Sequence, residues 1–112
     1  MPDLQDLALA LRNRQLSYKQ SLVFSYEGYQ FVASTANILW LERQIAIDDR
    51  ETNFLEDVNG YPAYIKDVKG LWQVMLTKLK SESINYFNDA KNLRGQIERS
   101  VASIPPAPED EE

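Results

Sequence analysis

One apolar stripe dominates the second half of this 112-residue chain. Ile65, Val68, Trp72, Met75 and Leu79, then Tyr86, Ala90, Leu93, Ile97, Val101 and Ile104, recur at spacings of three and four, the period of one helical face. Pro62 suits a first helical turn and Pro105-Pro106 cannot continue a helix, so the pattern predicts a helix over about 62–103. At about 1.5 Å per residue such a helix is roughly 60 Å long, longer than a compact domain of this size is wide. The chain must therefore be elongated or bent. Glu82 and Ser83 stand where the stripe needs apolar residues, which marks the place for a bend or for a shift onto Ile84 and Phe87.

Before it, Val58-Asn59-Gly60-Tyr61-Pro62 has the order of a helix stop followed by a helix start, with Gly at the left-handed cap and Pro two positions on. A helix is thus expected to end near Val58. The N-terminal half admits two readings. Leu4, Leu7, Leu11, Tyr18, Leu22, Tyr26, Tyr29, Ala33, Ala36, Trp40 and Ile47 can be threaded on one helical face with Gln15 and Gln44 as polar exceptions, and no proline lies between Pro2 and Pro62. On that reading a long helix breaks near Asp48-Asp49, where Asp48 with Glu51 resembles a capping box. Alternatively, 21–26 and 29–34 form a β-hairpin around Glu27-Gly28, with Tyr26 opposite Tyr29 and Phe24 opposite Phe31. The β-branched and aromatic content favours strands. Glu-Gly is a poorer two-residue turn than Asn-Gly, and an isolated hairpin is marginal in water. The preferred expectation is a mainly α protein, an elongated antiparallel helical hairpin or small helical bundle. The alternative is α+β with a β-hairpin at 21–34. Residues 1–104 form a single domain with its turn near 58–62, and 105–112 are expected to be a disordered, acidic, proline-rich tail.

The net charge of −5 is unevenly placed. Residues 1–60 carry five Lys/Arg against nine Asp/Glu, residues 61–104 carry seven against four, and 105–112 carry four acids and no base. This balance disfavours direct binding to nucleic acid or to anionic membrane. The tail reads as a solubilising terminus or, more sharply, as a segment that competes for a basic partner surface or folds back over Lys66, Lys69, Lys78, Lys80, Lys91, Arg94 and Arg99. No apolar run reaches the roughly 18 residues of a membrane span, and the Met1-Pro2-Asp3 start is unlike a secretory signal. A cytoplasmic location is expected.

With neither histidine nor cysteine, the chain lacks a side chain that titrates near neutrality, a thiolate nucleophile and a soft metal ligand. Its carboxylates fail the EF-hand spacing: with Gly60 at the sixth position, Leu55 and Lys66 stand where acids are needed. No G-x-x-x-x-G-K cradle occurs. No catalytic residue, metal ligand, cofactor or small-molecule substrate is expected, and the protein is read as non-enzymatic.

Aromatics remain. Phe24, Tyr26, Tyr29, Phe31, Trp40 and Trp72 are the candidate partner-binding residues, because two helices alone cannot enclose so many large rings and Tyr and Trp are enriched at interfaces. Ordinary core packing competes with this reading. The expected function is a helical protein-interaction or assembly module that binds protein partners and self-associates as a homo-oligomer. The alternative is an acidic inhibitor that occupies a partner's nucleic-acid-binding surface.

Overall fold

The computed structural model describes residues 3–102; the tail at 105–112 lies outside them. These residues are mostly helical (69%), with two short hairpins between the helices. Helix α1 (Leu4–Ser21) starts at Asp3, whose Oδ1 accepts from the Asp6 amide (2.8 Å), a side-chain N-cap. It ends where Val23-Phe24-Ser25-Tyr26 brings in strand-forming residues. Strands β1 (Val23–Tyr26) and β2 (Tyr29–Val32) pair antiparallel, Phe24 opposite Phe31 and Tyr26 opposite Tyr29. This is the hairpin of the alternative reading, so the single-helix expectation for 3–47 is corrected. Glu27 and Gly28 both have positive φ (50° and 85°), the sign pair of a type I′ turn, whose twist matches the strands.

Helix α2 (Thr35–Ile47) is capped by Ser34 Oγ on the Asn37 amide and ends at Asp48 in the left-handed region. A 3₁₀ turn (Arg50–Thr52) follows, opened by Asp49 rather than Asp48. Strands β3 (Phe54–Glu56) and β4 (Pro62–Tyr64) then pair, Leu55 opposite Ala63. The expectation of a helix ending near Val58 and restarting at Pro62 is therefore also corrected. Gly60 is left-handed (φ 79°), but it closes a hairpin in which Asp57 Oδ1 accepts from the Asn59 and Tyr61 amides (both 2.9 Å). Pro62 is tolerated because it lies opposite Glu56 at a position that donates nothing to the ladder.

Helix α3 (Val68–Ala102) is about 52 Å long at about 1.5 Å per residue. Its N-cap is Asp67, whose Oδ1 accepts from the Gly70 amide (2.9 Å). α1 runs antiparallel along its distal part: Tyr18 shares a hydrogen bond with Ser83 (2.7 Å) and stacks on Tyr86 (4.5 Å between centroids), while Arg14 pairs with Asp89 (2.7 Å). The break in the apolar stripe at Glu82 and Ser83 is thus a polar contact site, where Ser83 meets Tyr18 and Glu82 meets Lys78 (3.5 Å). These two helices make a stalk. The hairpins, α2 and the start of α3 make a head, and the extents are 75 × 23 × 22 Å.

The core lies in the head. Phe31, Leu41, Ile65, Leu71 and Met75 are its largest fully buried side chains, each worth about 1.5–3 kcal/mol of burial. The first hairpin is fastened to the start of α3 by Glu27, whose carboxylate accepts from the backbone amides of Lys66 (3.0 Å) and Asp67 (2.9 Å). Tyr26 adds a hydroxyl bond to Asp67 (3.3 Å).

Candidate functional site

Helix α2 turns Ile38, Leu41 and Gln44 inward and leaves Leu39 and Ile47 exposed. Trp40 lies at the border of these faces. Its position follows from the ladder of β3: Asn53 and Leu55 direct their backbone groups toward β4, so the Phe54 carbonyl points away from it. Trp40 Nε1 donates to that carbonyl (2.6 Å), and the two rings pack tilted at 5.8 Å. The indole is thereby held in one orientation with its face open on a groove of about 290 Å³, lined by Asn37, Trp40, Phe54, Leu55 and Glu56. A second groove, of about 440 Å³ between Ala36, Leu39 and Arg43, shares Trp40. Phe54 and its register partner Tyr64 are both exposed. The outcome is one continuous surface with a fixed aromatic centre, exposed Leu39 beside it, and Arg43 and Glu56 at its rim. Fixed rings in an apolar patch with a polar rim are the usual anatomy of a protein-binding surface.

The structure does not gather the six sequence-predicted residues into one surface. Trp40 is at the centre just described. Phe31 is fully buried, so it is a core residue with no face to offer, and a charge there would test folding rather than association. Phe24 and Tyr29 pack on it, at 6.3 Å between ring centroids in both cases, and Tyr29 also stacks on exposed Tyr61. Tyr26 is spent on Asp67. Trp72 donates to Glu42 (3.1 Å) and closes the seam between α3 and α2. The pairing of Trp40 with Phe54 is not legible in the sequence because it depends on a second hairpin whose Gly60 and Pro62 punctuate an interhelical turn equally well.

For acid–base chemistry the geometry offers little. Partial burial, and then the Asp67 and Glu27 carboxylates, raise the Tyr26 phenol above its ordinary value, which keeps it a hydrogen-bond donor at neutral pH. Among the described residues no group of three or more Asp, Glu, His or Cys could hold a metal ion, and no helix is long and apolar enough to cross a membrane. Comparison with protein-family models, curated proteins and solved structures gives no match.

Proposed function

We propose that this protein is a non-enzymatic interaction or assembly module of the cytoplasm that binds protein partners, including copies of itself, through the Trp40 surface of its head. The observation that carries this reading is the immobilised indole: Trp40 is fixed by its bond to the Phe54 carbonyl while it lines two adjoining grooves. A side chain already ordered loses little entropy on binding. Leu39, 58% exposed next to it, is apolar surface that association would cover.

The alternative, mimicry of nucleic acid by clustered carboxylates, draws on the head's charge, since residues 22–67 carry eight acids against three bases. Five of those acids, Glu27, Glu42, Asp49, Asp57 and Asp67, accept hydrogen bonds from the chain's own backbone or side chains. They serve the fold first, and the interaction reading is preferred.

Light scattering at micromolar concentration should give a mass above the 12.9 kDa of one chain. Leu39→Glu should return it to one chain with an unchanged far-UV circular dichroism spectrum. A wild-type monomer that binds no hydrophobic dye would overturn the assignment.

A further inference from the structure

One edge of the second hairpin is open. The Ile65 amide donates to the Asn53 carbonyl and the Asp57 amide to the Tyr61 carbonyl (both 2.8 Å), so residues 53, 55 and 57 bond toward β4 and the backbone groups of Phe54 and Glu56 face the other way. On that side β3 has no strand neighbour among the described residues. The edge is closed at its two ends, by the Val58 amide on the Gln30 carbonyl (2.9 Å) and by Trp40 on the Phe54 carbonyl. Between them the Phe54 amide and both backbone groups of Glu56 stay unpaired among the described residues, and such an edge is a template for one more strand. The Trp40 groove runs along it, since Phe54, Leu55 and Glu56 all line that groove. Side chains alternate across a strand, with Leu55 buried and Phe54 and Glu56 exposed. A strand laid beside β3 therefore turns its residue opposite Leu55 down toward Trp40 and its residue opposite Glu56 out beside the carboxylate. That carboxylate makes no hydrogen bond or ion pair among the described residues, and the surrounding segment 22–67 carries eight acids against three bases.

We infer that the Phe54–Glu56 edge takes a short extended peptide of a partner protein, antiparallel to β3, with a basic residue opposite Glu56 followed by an apolar residue opposite Leu55. Antiparallel pairing lets one residue exchange both backbone bonds with Glu56, which suits an edge this short, and the Phe54 amide supplies a third. The base meets the free Glu56 carboxylate as a cross-strand pair of opposite charge. The apolar residue fills the groove over Leu55 and the indole. A second copy of the chain does not fit this edge, because the only side chains it would bring are those of Phe54, Leu55 and Glu56, and Glu56 would lie opposite a ring or another acid and never opposite a cation. The groove on the Leu39 side of Trp40 is left for association between copies. This inference rests on the reading of the Trp40 surface as a protein-binding site and names the kind of segment that it binds.

Titration of the ¹⁵N-labelled full chain with the acetylated, amidated peptide Thr-Thr-Arg-Val-Thr-Thr tests this by NMR. At millimolar peptide, hydrogen exchange of the Glu56 amide should slow several-fold while that of Leu55, already in the ladder, stays as it was. Three altered peptides separate the contributions. Glu in place of Arg, and methylation of the Arg backbone nitrogen, should each weaken binding by at least about tenfold, the second because it removes the bond to the Glu56 carbonyl and sets a methyl group against it. Methylation of the Val nitrogen, which points away from β3, should cost less than about twofold. Glu56→Lys, with an unchanged far-UV circular dichroism spectrum, should reverse the preference between the Arg and Glu peptides. No slowing at Glu56, equal loss from the two methylated peptides, or a preference for Arg that survives Glu56→Lys would each overturn the inference. Slowing at Glu56 that appears without peptide as protein concentration rises would overturn it too, by putting a second copy on the edge. Association is read separately through Leu39→Glu, so a chain that self-associates and fails these tests refutes the peptide edge and leaves the proposed function standing.

Discussion

Replacing Glu27 by Asn separates local turn chemistry from tertiary contact. By turn preference alone the change should help: Asn tolerates the left-handed region that Glu27 occupies at φ 50°, and Asn-Gly is the favoured type I′ pair. Left-handed backbone costs an ordinary residue about 1–2 kcal/mol, part of which Asn would recover, so the local gain is under about 1 kcal/mol. The loss is the clamp. The carboxylate accepts from the Lys66 and Asp67 amides at 3.0 and 2.9 Å, and Asn is a methylene too short to reproduce both. A side-chain acceptor at a helix start is worth about 0.5–2 kcal/mol, and a negative charge beside the positive end of α3 adds about 0.3–1 kcal/mol. The clamp wins. Glu27→Asn should destabilise by about 1 kcal/mol, a fall of about 4–8 °C in Tm by the scaling for small domains, read by thermal circular dichroism. Glu27→Gly, which relieves the backbone completely and also lacks the carboxylate, should melt below wild type as well. A Glu27→Asn protein that melts at or above wild type would refute the reasoning and show that the hairpin is limited by its own turn.

Two further outcomes are expected around the same junction. Gly70→Ala, a change that normally favours a helix by about 1 kcal/mol, should lower the urea midpoint instead, because a Cβ at Gly70 would overlap Asp67 Oδ2 and the Tyr26 hydroxyl; a raised midpoint would show that both groups move aside at no cost. The Tyr26 phenol is raised in the folded state, so the folded chain holds that proton more tightly than the unfolded chain does. Its contribution is fully present below the ordinary tyrosine value of about 10 and is lost as pH rises through the folded value. The stability gap between wild type and Tyr26→Phe should accordingly narrow as pH is raised above about 10, and a gap that stays constant there would contradict it.

Much of α3 was legible in the sequence. Its stripe from Val68 onward needs only helical period, and the helix continues to Ala102, the last of the described residues. Its start was misplaced by six residues, because Gly60 and Pro62 punctuate a hairpin loop and an interhelical turn equally well. Asp67, the actual cap, has Gly70 where a capping box would carry an acid; a Cβ there would overlap Asp67 Oδ2 and the hydroxyl of Tyr26, a residue far away in sequence.

The N-terminal half was undecidable locally for a geometric reason. Leu22, Tyr26, Tyr29 and Ala33 are spaced four, three and four apart, which satisfies a helical face; the same residues, with Phe24 and Phe31, alternate on one side of a hairpin. The sequence by itself determined that no thiolate and no imidazole is present, and the long helix, since these depend on residue type and short-range period. Only the tertiary structure decided that 23–32 is a hairpin. Burial of Phe31 against the head's core and the hold of Glu27 on the first amides of α3 are long-range terms, and no window of neighbouring residues contains them.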